Sequence, residues 1–284
     1  MMSRQQKSIL ITGCSSGIGL CVAKALHQHG YRVFATARKP EDVVRLANMG
    51  LESLPLDLTD SNSIQSAVTE ILRRSHGKLY ALFNNGAYGQ PGAVEDLRRD
   101  VLREQFETNL FGWLELTNLV IPVMREQGAG RIIQCSSILG IMGLPMRGAY
   151  VASKYALEGL TDTLRLELVG SGIKVSLIEP GPIESQFRAN AFRSYQKNID
   201  RDNSVHRDAY LRTEARLSKP GPGMPFTLPP EAVLKRVIHA LEHPRPKVRY
   251  PVTFPTYLFA FLKRILPWRV LDRILLKIGK SEGR

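Results

Sequence analysis

The chain has 284 residues, of which 43% are hydrophobic and 23% charged, and its formal net charge is +13 at pH 7. This is the composition of an ordinary globular protein with one domain, or one domain and an appendage. It excludes a membrane-spanning helix, because no apolar run is long enough, and a disulfide framework, because there are only three cysteines. With no signal-peptide cleavage region before the first strand-like run, we expect a cytoplasmic protein with reduced thiols.

Residues 1–180 alternate between short β-rich runs and amphipathic helical patterns. We predict strands over 8–13, 31–37, 51–57, 79–85, 131–137 and 173–180. Helices are predicted between them, at 17–29, 61–75, 97–126 and 150–169. The strands are nearly continuous Val, Ile and Leu runs, which is typical of strands buried on both faces. This order predicts an α/β fold, a Rossmann-type doubly wound parallel sheet with helices on both faces.

The pattern changes after Pro180. Residues 184–229 are polar and basic with scattered aromatic side chains, and so long a stretch of weak periodicity indicates an insertion or lid over a site. A further helix is expected to begin near Pro230, followed by a last strand near "VRYPV". We therefore predict one Rossmann-fold domain over 1–250, with the 184–229 segment as its substrate-binding lid, and a basic amphipathic C-terminal helical extension over 251–284.

The positive charge is concentrated in the last third of the chain. Residues 1–185 contain 19 Lys and Arg against 18 Asp and Glu, whereas residues 186–284 contain 20 against 8. Such asymmetry favours an anionic partner, either a membrane surface, an acidic ligand or a nucleic acid; a solvated basic face that only aids solubility is the alternative. We expect no nucleic-acid partner, because no recognition module accompanies the basic residues.

The segment "TGCSSGIG" joins the first predicted strand to the first predicted helix. Its glycines, Gly13, Gly17 and Gly19, have the spacing GxxxGxG, a variant of the dinucleotide-binding fingerprint. Glycines here permit a tight turn and bring a pyrophosphate close to the free N–H groups of the helix terminus. We predict a dinucleotide-binding loop, with a purely structural turn as the alternative. The other predicted contacts in the loop are Ser15, Ser16 and Ile18.

The end of the second strand, "ATARKPED", contains Arg38 and Lys39 and no carboxylate before Glu41. An acidic residue at this place holds the adenosine ribose hydroxyls, whereas a basic residue accepts a 2′-phosphate. Because a guanidinium suits phosphate geometry, Arg38 favours NADP(H) over NAD(H); the alternative is that it caps an exposed strand end. Asp60 is expected to cap the next helix. At the carboxyl ends of the following strands, the predicted cofactor contacts are Asp57, Leu58, Asn85 and Gly86.

Tyr150 and Lys154, in "AYVASKYALEG", lie four residues apart and so share one helix face. A free tyrosine has a pKa of about 10 and is a poor proton donor at neutral pH, but a nearby ammonium lowers that pKa by stabilising the phenolate. The spacing alone is common and carries little meaning. Ser137, at the end of a predicted strand, adds a hydroxyl beside Tyr150 and favours a proton donor for a carbonyl. Tyr155, on another face, is expected to pack.

Together, "TGCSSGIG", "NNGA", Asn109, "SS…YVASK" and "PGPI" resemble the short-chain dehydrogenase/reductase superfamily over essentially the whole chain. Within it the chain resembles the hydroxysteroid-dehydrogenase-like branch, and most closely bacterial NADP-dependent aldehyde reductases. "SLIEPGPI" and the tail "VRYPVT…LPWRVLD" carry that closer similarity. One departure is that the usual Asn-Asn-Ala-Gly stands here as Asn-Asn-Gly-Ala, residues 84–87, and this exchange of two small residues should still admit the cofactor.

The resemblance implies an NADP-dependent enzyme with a catalytic tetrad of Asn109, Ser137, Tyr150 and Lys154. Tyr150 would donate the proton to the carbonyl, and Ser137 would polarise the carbonyl oxygen. Lys154 would hold the nicotinamide ribose and lower the pKa of Tyr150, so both residues also contact the cofactor. Asn109 would anchor a water in the proton relay. The remaining cofactor contacts that the resemblance implies are Pro180, Ile183 and Ser185.

The loop that follows Ser137, "ILGIMGLPMRG", is apolar and predicts a lipophilic substrate if it walls the site. A packed loop with no ligand role is the alternative. Long-chain or aromatic aldehydes, retinal-like carbonyls and steroid carbonyls are all compatible. The rival functions are an NADP-linked hydroxysteroid or retinol-type alcohol dehydrogenase and a non-catalytic NADPH-binding sensor; the complete tetrad argues against the sensor.

The C-terminal segment is predicted to form two amphipathic helices separated at Pro267. In the second, an apolar face opposes a basic one. The apolar residues are Leu271, Ile274, Leu275 and Ile278, and the basic ones are Arg269, Arg273 and Lys277. Such a helix can lie on an anionic membrane, here at the inner face, and collect lipophilic substrates; packing against the sheet or a second subunit is the alternative. A homo-oligomer, either dimer or tetramer, is also expected.

Overall fold

The computed structural model describes residues 6–219, 221 and 224–281, and these residues form one parallel sheet with helices on both faces. The strands are β1 (Ser8–Ile11), β2 (Arg32–Ala37), β3 (Glu52–Pro55), β4 (Ala81–Asn84), β5 (Gly130–Cys135), β6 (Ile173–Glu179) and β7 (Arg249–Pro251). They lie in the order β3-β2-β1-β4-β5-β6-β7, and every neighbouring pair is parallel. The predicted Rossmann-type α/β fold is confirmed.

The core of the sheet is made by its apolar central strands. All four residues of β1 are buried, and Ile9 lies opposite Val33 of β2 on one side and Ala81 of β4 on the other. A strand with neighbours on both edges and helices on both faces has no solvent side, which is why no polar alternation marks it in the sequence. The chain order reverses between β1 and β4, so their carboxyl ends open the crevice in which such sheets bind ligands.

The helices are α1 (Gly17–Gln28), α2 (Pro40–Asn48), α3 (Ser61–Arg74), α4 (Arg99–Phe106), α5 (Gly112–Glu126), α6 (Gly148–Glu167), α7 (Phe187–Asn198), α8 (Arg207–Ser218), α9 (Glu231–Glu242), α10 (Phe254–Ile265) and α11 (Trp268–Ser281). The Asp60 carboxylate accepts a hydrogen bond from the Asn62 N–H, which confirms the predicted cap of α3. Helix α2 was not predicted; it begins at a proline and is only 9 residues long. Within the described residues no helix is long and apolar enough to cross a membrane.

The helical run predicted over 97–126 contains a π-helical turn at Glu107–Phe111, between α4 and α5. The buried Asn109 lies in this turn. Its amide Oδ1 accepts a hydrogen bond from the Tyr88 N–H at 3.2 Å, and its Nδ2 donates one to the Tyr88 carbonyl at 2.9 Å. An inserted residue of this kind re-aims a side chain inside a helix, and such turns are common at functional sites.

The 184–229 segment, for which the sequence shows weak periodicity, forms α7 and α8. Their buried positions include Tyr195 and Tyr210, but also the polar Asn198 and Thr213. Because polar residues occupy part of each inner face, the apolar repeat is too sparse to predict a helix. The Tyr210 hydroxyl donates a hydrogen bond to the Asp96 carboxylate at 2.6 Å and accepts one from the Ala93 N–H. This pair of helices is thereby fixed to the chain that follows β4.

The C-terminal helices pack on the apolar loop that follows β5. Leu139 and Met142 of that loop share a buried cluster with Phe259 of α10 and with Leu271 and Leu275 of α11. The apolar face of α11 is therefore covered by this chain's own loop. The sequence had left a membrane, the sheet or a second subunit as the possible partners of this face. The same contacts occupy part of the loop that the sequence predicts as a substrate wall.

Candidate active site

The glycine-rich loop lies at the carboxyl end of β1, where the strand order reverses. The buried Thr12 hydroxyl accepts hydrogen bonds from the N–H groups of Asn85 and Gly86, both at 2.9 Å. The Asn85 side chain donates in return to the carbonyls of Thr12 and Gly13, at 3.0 and 3.2 Å. The ends of β1 and β4 are thus fixed to each other. The reversed small residues of "NNGA" are compatible with this arrangement.

The loop has the shape that a dinucleotide pyrophosphate requires. Gly13 and Gly17 have φ of +69° and +54°, which side chains rarely adopt. A Cβ at Gly13 would lie 2.5 Å from the Gly86 Cα, and one at Gly17 would lie 2.8 Å from the Ser185 Cβ. Helix α1 begins at Gly17 with no side-chain cap from Ser16 and no acidic residue in its first turn. Its N–H groups therefore suit an anionic group, and the residues present fit a dinucleotide.

Gly19 closes this loop against the body of α1. A Cβ there would lie 2.7 Å from the Asn85 amide nitrogen and closer still to the Gly13 carbonyl oxygen. We expect Gly19→Ala to lower the free energy of unfolding by about 1–3 kcal/mol, because rigid backbone stands in the way. The matched control is Gly159→Ala in α6, where nothing lies within 4 Å, so alanine should raise stability by up to about 1 kcal/mol. Urea unfolding measures the free energy of unfolding of both variants. Equal changes in the two variants would contradict the steric role of Gly19.

The end of β2 carries an exposed cation without a partner. Arg38 forms no hydrogen bond or ion pair with any residue in the described ranges, whereas its neighbour Lys39 lies 3.5 Å from Glu41. Arg45 of α2 pairs with Asp42 and donates a hydrogen bond to the Ser15 carbonyl of the glycine-rich loop at 2.6 Å. Two guanidinium groups therefore lie beside the part of the crevice next to β2.

The end of β3 supplies a turn. The Asp57 carboxylate accepts hydrogen bonds from the Thr59 N–H and hydroxyl, at 3.0 and 2.8 Å, so it organises the entry to α3. Leu58 is buried, with its side chain in contact with Gly86 and its backbone against Gly112 of α5. Leu58 thus borders the crevice near the end of β4, whereas Asp57 stays at the end of β3.

Ser137 and Tyr150 come together at the carboxyl end of β5. The Ser137 hydroxyl lies close enough to the Tyr150 hydroxyl to affect its pKa, and it accepts a hydrogen bond from the Leu139 N–H at 3.1 Å. Burial raises the pKa of the Tyr150 hydroxyl, the buried Cys135 thiol adds to the rise, and the Ser137 hydroxyl lowers it. The net direction is upward, so Tyr150 stays protonated across the neutral pH range. The lowering that the sequence predicts is not found, because burial outweighs the opposing effects.

Lys154 lies behind this hydroxyl pair, almost fully buried. Its ammonium donates a hydrogen bond to the Cys135 carbonyl at 2.7 Å, lies 4.3 Å from the centre of the Trp113 ring and 5.7 Å from that of Tyr150. Burial lowers the pKa of Lys154 to about 8, while charges at Cys135 and Glu158 oppose the fall. The lysine is thus fixed directly beneath Tyr150 by the Cys135 carbonyl and the Trp113 ring.

Asn109 reaches the same helix through Ser153. Its Nδ2 donates to the Ser153 hydroxyl at 3.2 Å, and that hydroxyl donates to the Tyr150 carbonyl at 2.8 Å. The side chain of Asn109 therefore joins the chain after β4 to the start of α6. The four residues of the predicted tetrad lie together, and the role of Asn109 in holding a water stays a prediction.

The chain after β6 forms the opposite wall. The buried Pro180 accepts a hydrogen bond from the Ile138 N–H at 2.8 Å, which fixes it beside the loop after Ser137. Ile183 pairs with Leu228 in a short parallel bridge. Ser185 lies against Gly17, and Phe187 at the start of α7 packs edge-on against Tyr150, with ring centres 5.2 Å apart. The start of the 184–229 segment therefore touches both the glycine-rich loop and Tyr150.

Comparison with known proteins agrees with this geometry. The sequence profile of the short chain dehydrogenases matches residues 7–196, which is more than half of the chain. The chain belongs to the short chain dehydrogenase family. It is 44% identical over 270 residues to the uncharacterized oxidoreductase YbbO of Escherichia coli (strain K12), covering 95% of this chain and 94% of that protein.

Two further members resemble the chain over most of its length. The NADPH-dependent 3-dehydrocapnine reductase of Ornithobacterium rhinotracheale is 32% identical over 276 residues, with 94% of this chain and 95% of that protein covered. An actinorhodin polyketide ketoreductase, solved with NADPH, superposes with a TM-score of 0.71 at 29% identity and covers 89% of this chain and 97% of its own. Membership is thus supported beyond the residues of the family profile.

Three residues of this short chain dehydrogenase contribute to the site without having been predicted. They are Thr12, which joins β1 to β4; Arg45, which holds the Ser15 carbonyl; and Trp113, whose indole donates to the Gly86 carbonyl at 2.8 Å and lies under Lys154. Thr12 opens the glycine motif and could have been included with it. Arg45 and Trp113 lie in helices at ordinary positions, and no local pattern distinguishes them.

A cluster of carboxylates lies one turn beyond Lys154 on the same face of α6. Glu158, four residues after Lys154, and Glu179 at the end of β6 are both buried and face Arg249. The Arg249 Nε lies 3.2 Å from Glu179 Oε1, yet that oxygen has no aligned hydrogen bond. Burial, and then the charge of Glu158, raise the pKa of Glu179 from 4.5 to about 7, against the opposing charge of Arg249. The folded chain therefore keeps a proton here that the unfolded chain releases at lower pH.

We expect stability to fall as pH rises through the interval between these two pKa values. A group with a raised folded pKa binds its proton more tightly in the native state, so its contribution is complete below the lower value and is lost above the upper one. Glu179→Gln should remove this pH dependence of stability. The variant should be more stable than the wild type at about pH 8, and this difference in stability should be smaller at about pH 5. Thermal melts across this range measure it, with Glu184→Gln, an exposed carboxylate, as control. A difference in melting temperature between Glu179→Gln and the wild type that is the same at every pH would contradict the raised pKa of Glu179.

Proposed function

We propose that this short chain dehydrogenase is an NADPH-dependent carbonyl reductase that converts a lipophilic aldehyde or ketone to the alcohol. The observation that carries the proposal is the hydroxyl pair of Ser137 and Tyr150 at the carboxyl edge of the sheet, with Lys154 buried behind it. Two adjacent hydroxyl donors can hold one carbonyl oxygen, and one of them can protonate it. A binding protein without turnover has no use for this arrangement.

The preference for NADP(H) is supported by Arg38. It is exposed, unpaired in the described structure, and follows a strand that ends with no carboxylate. A guanidinium is suited to a 2′-phosphate, whereas NAD(H) sites hold the ribose hydroxyls with an acidic residue. Arg45 adds a second positive charge nearby and holds the Ser15 carbonyl. The relative from Ornithobacterium rhinotracheale is named NADPH-dependent, and the ketoreductase structure contains NADPH.

The chain's own residues would act in the following way. The glycine-rich loop and the first turn of α1 would bind the pyrophosphate, and the end of β6 with Ile183 and Ser185 would hold the nicotinamide side. The bound cofactor supplies a hydride to the carbonyl carbon. Ser137 would donate a hydrogen bond to the carbonyl oxygen and orient it, and Tyr150 would release its Oη proton to that oxygen.

The pKa directions favour reduction over oxidation. Tyr150 is protonated at neutral pH because burial raises its pKa, so a proton is present for an alkoxide, while a phenolate base for alcohol oxidation is scarce. Lys154, with a pKa of about 8, would return a proton to Tyr150 from the interior side. Lys154 would hold the nicotinamide ribose, and a positive charge close to the tyrosine hydroxyl would lower the pKa of Tyr150.

A lipophilic substrate is supported by the surroundings of Tyr150. Phe187 lies against the tyrosine ring, and Met146 and Phe192 pack around the aromatic cluster of α7 and α8. Met146 belongs to the loop after Ser137, and methionine adapts to ligands of different shape. Part of that loop is occupied by packing with α11, so the α7–α8 side is the one we assign to the substrate, as a lid over the site.

We also propose that the enzyme is a homo-oligomer, a dimer or tetramer. Phe111 and Leu114 of the helical run leading into α5, and Leu160 and Leu166 of α6, are large apolar residues left exposed. The π-helical turn that contains Phe111 packs against α6, and a contiguous group of exposed apolar residues marks an interface.

A panel of aldehydes and ketones of increasing chain length, scored by oxidation of NADPH, tests the function. We expect turnover with medium- or long-chain carbonyls, and little turnover with NADH in place of NADPH. Tight binding of NADPH without turnover on any carbonyl would instead favour the sensor.

A further inference from the structure

Helix α10 presents a row of large apolar side chains to solvent. Phe254, Tyr257, Phe261 and Ile265 are spaced at i, i+3, i+7 and i+11 and are 59%, 48%, 60% and 56% exposed. At this spacing they share one face of the helix. Trp268, at the start of α11, is 68% exposed at the end of the same row. We call these five residues the α10 stripe.

The α10 stripe is not needed to hold the helix in place. The opposite face of α10 is the one that packs, with Thr256 and Phe259 buried, and Phe259 belongs to the cluster shared with α11. Outside the helix, Phe226 is 60% exposed and its ring lies 5.3 Å from that of Phe254, which extends the apolar surface. Contiguous exposed aromatic residues on a folded chain mark a contact surface.

Positive charge accompanies the α10 stripe on the two C-terminal helices. Its cations are Arg264, next to the stripe on α10, Lys263 on the opposite face of that helix, and Arg269, Arg273 and Lys277 of α11. The Lys263 ammonium donates to the Tyr155 hydroxyl, and none of the five forms an ion pair with a carboxylate in the part of the chain that the structure describes. Over residues 251–281 the only acidic residue is Asp272. The C-terminal helices therefore combine an aromatic row with an excess of positive charge.

We propose that the α10 stripe docks the enzyme on an anionic lipid surface. Aromatic side chains that enter the headgroup region, bordered by lysine and arginine that attract acidic lipids, are the chemistry of a peripheral membrane contact. A second copy of the chain would bring an equally cationic border against the first, which opposes association. The apolar face of α11 is buried against the loop after β5, so the contact is made by α10 and Trp268, not by the face that the helical pattern of α11 predicts.

The docked surface lies close to the site. Helices α10 and α11 pack directly on Leu139 and Met142, in the loop that begins at Ser137. A contact at the α10 stripe would hold this loop near the lipid headgroups, where lipophilic molecules collect. Delivery of substrate from the bilayer rests on the proposed reductase function, whereas lipid binding itself does not.

Co-sedimentation of the full chain with vesicles, without cofactor or substrate, tests the docking. The probes are vesicles of phosphatidylcholine alone and vesicles with about one-third phosphatidylglycerol, each at about 0.1 M and about 0.5 M NaCl. The stripe variant is Phe261→Ser with Trp268→Ser. The matched control is Met49→Ser with Val169→Ser, two exposed apolar residues that follow α2 and α6. Circular dichroism and reduction of a short water-soluble aldehyde check that each variant is folded and active.

We expect binding that needs phosphatidylglycerol, weakens at high salt, and falls about tenfold or more in the stripe variant but not in the control. Absence of binding to both vesicles, or equal binding by the stripe variant, would overturn the proposal. So would a stripe variant that changes only the oligomeric state in size-exclusion chromatography, because the stripe would then be an interface between copies. Because binding is measured without turnover, its failure is distinguishable from failure of the reductase function.

Discussion

Replacement of Tyr150 by phenylalanine should reduce carbonyl reduction by a factor on the order of 10³, while NADPH binding is retained. The substitution removes one hydroxyl and leaves the ring that packs against Phe187. General acid catalysis by a placed side chain contributes about 10²–10⁴-fold, and the neighbouring Ser137 hydroxyl can orient the oxygen but, as an aliphatic alcohol, is a much weaker acid. The loss should appear in kcat, since the interaction is made in the transition state.

Tyr155→Phe is the matched control for this variant. Tyr155 lies on the same helix, is 39% exposed, and its hydroxyl accepts only the hydrogen bond from Lys263 at 3.3 Å. We expect its kcat to be within about twofold of wild type, because surface substitutions of this kind have small effects. Stopped-flow oxidation of NADPH and fluorescence titration of its binding measure the two quantities. Full activity in Tyr150→Phe would remove Tyr150 as the proton donor.

The second large effect is expected at Arg38. In Arg38→Asp we expect the preference for NADPH over NADH, taken as a ratio of kcat/KM values, to fall by a factor on the order of 10² or more. The variant loses a charge-assisted contact to the 2′-phosphate and places a carboxylate against it. The same carboxylate can accept hydrogen bonds from the ribose hydroxyls of NADH, so activity with NADH should rise or be kept.

Lys24→Asp controls for the change in net charge. Lys24 is exposed on α1, in the same strand–loop–helix unit, but farther along the helix than the glycine-rich loop. Its cofactor preference should stay close to that of wild type. If Arg38→Asp kept the wild-type preference, Arg38 would be only the cap of an exposed strand end, and Arg45 would become the first alternative for the phosphate contact.

The sheet was predictable because its strands are short, apolar and separated by regular helical patterns. Except for β5, which begins one residue before the predicted run at Gly130, each predicted strand contains the observed one and extends beyond it by one to three residues, because polar residues such as Thr12 continue the β pattern past the last ladder pair. The α7–α8 pair was not predictable as helices, since Asn198 and Thr213 interrupt the apolar faces. Its location was predicted as a lid, and Phe187 against Tyr150 supports that assignment.

The site was predictable where chemistry is carried by local spacing, and not where it depends on burial. The helical spacing of Tyr150 and Lys154 brings them onto one face, but the 5.7 Å from the ammonium to the tyrosine ring and the bond to the Cys135 carbonyl follow from the tertiary fold. The upward pKa shift of Tyr150 likewise depends on how much of it is enclosed, which no motif encodes. The packing of α11 on the loop after Ser137 is a third property of this kind.

Transfer of deuterium from NADPH labelled at C4 to a lipophilic aldehyde tests the central claim most directly. Mass spectrometry of the product, with each of the two C4-labelled forms in turn, reports where the hydride goes. We expect one form to give an alcohol with a single deuterium on the former carbonyl carbon, in equal amount to the NADPH oxidised. Oxidation of NADPH without a labelled alcohol, or no oxidation with any carbonyl while NADPH is bound, would contradict it.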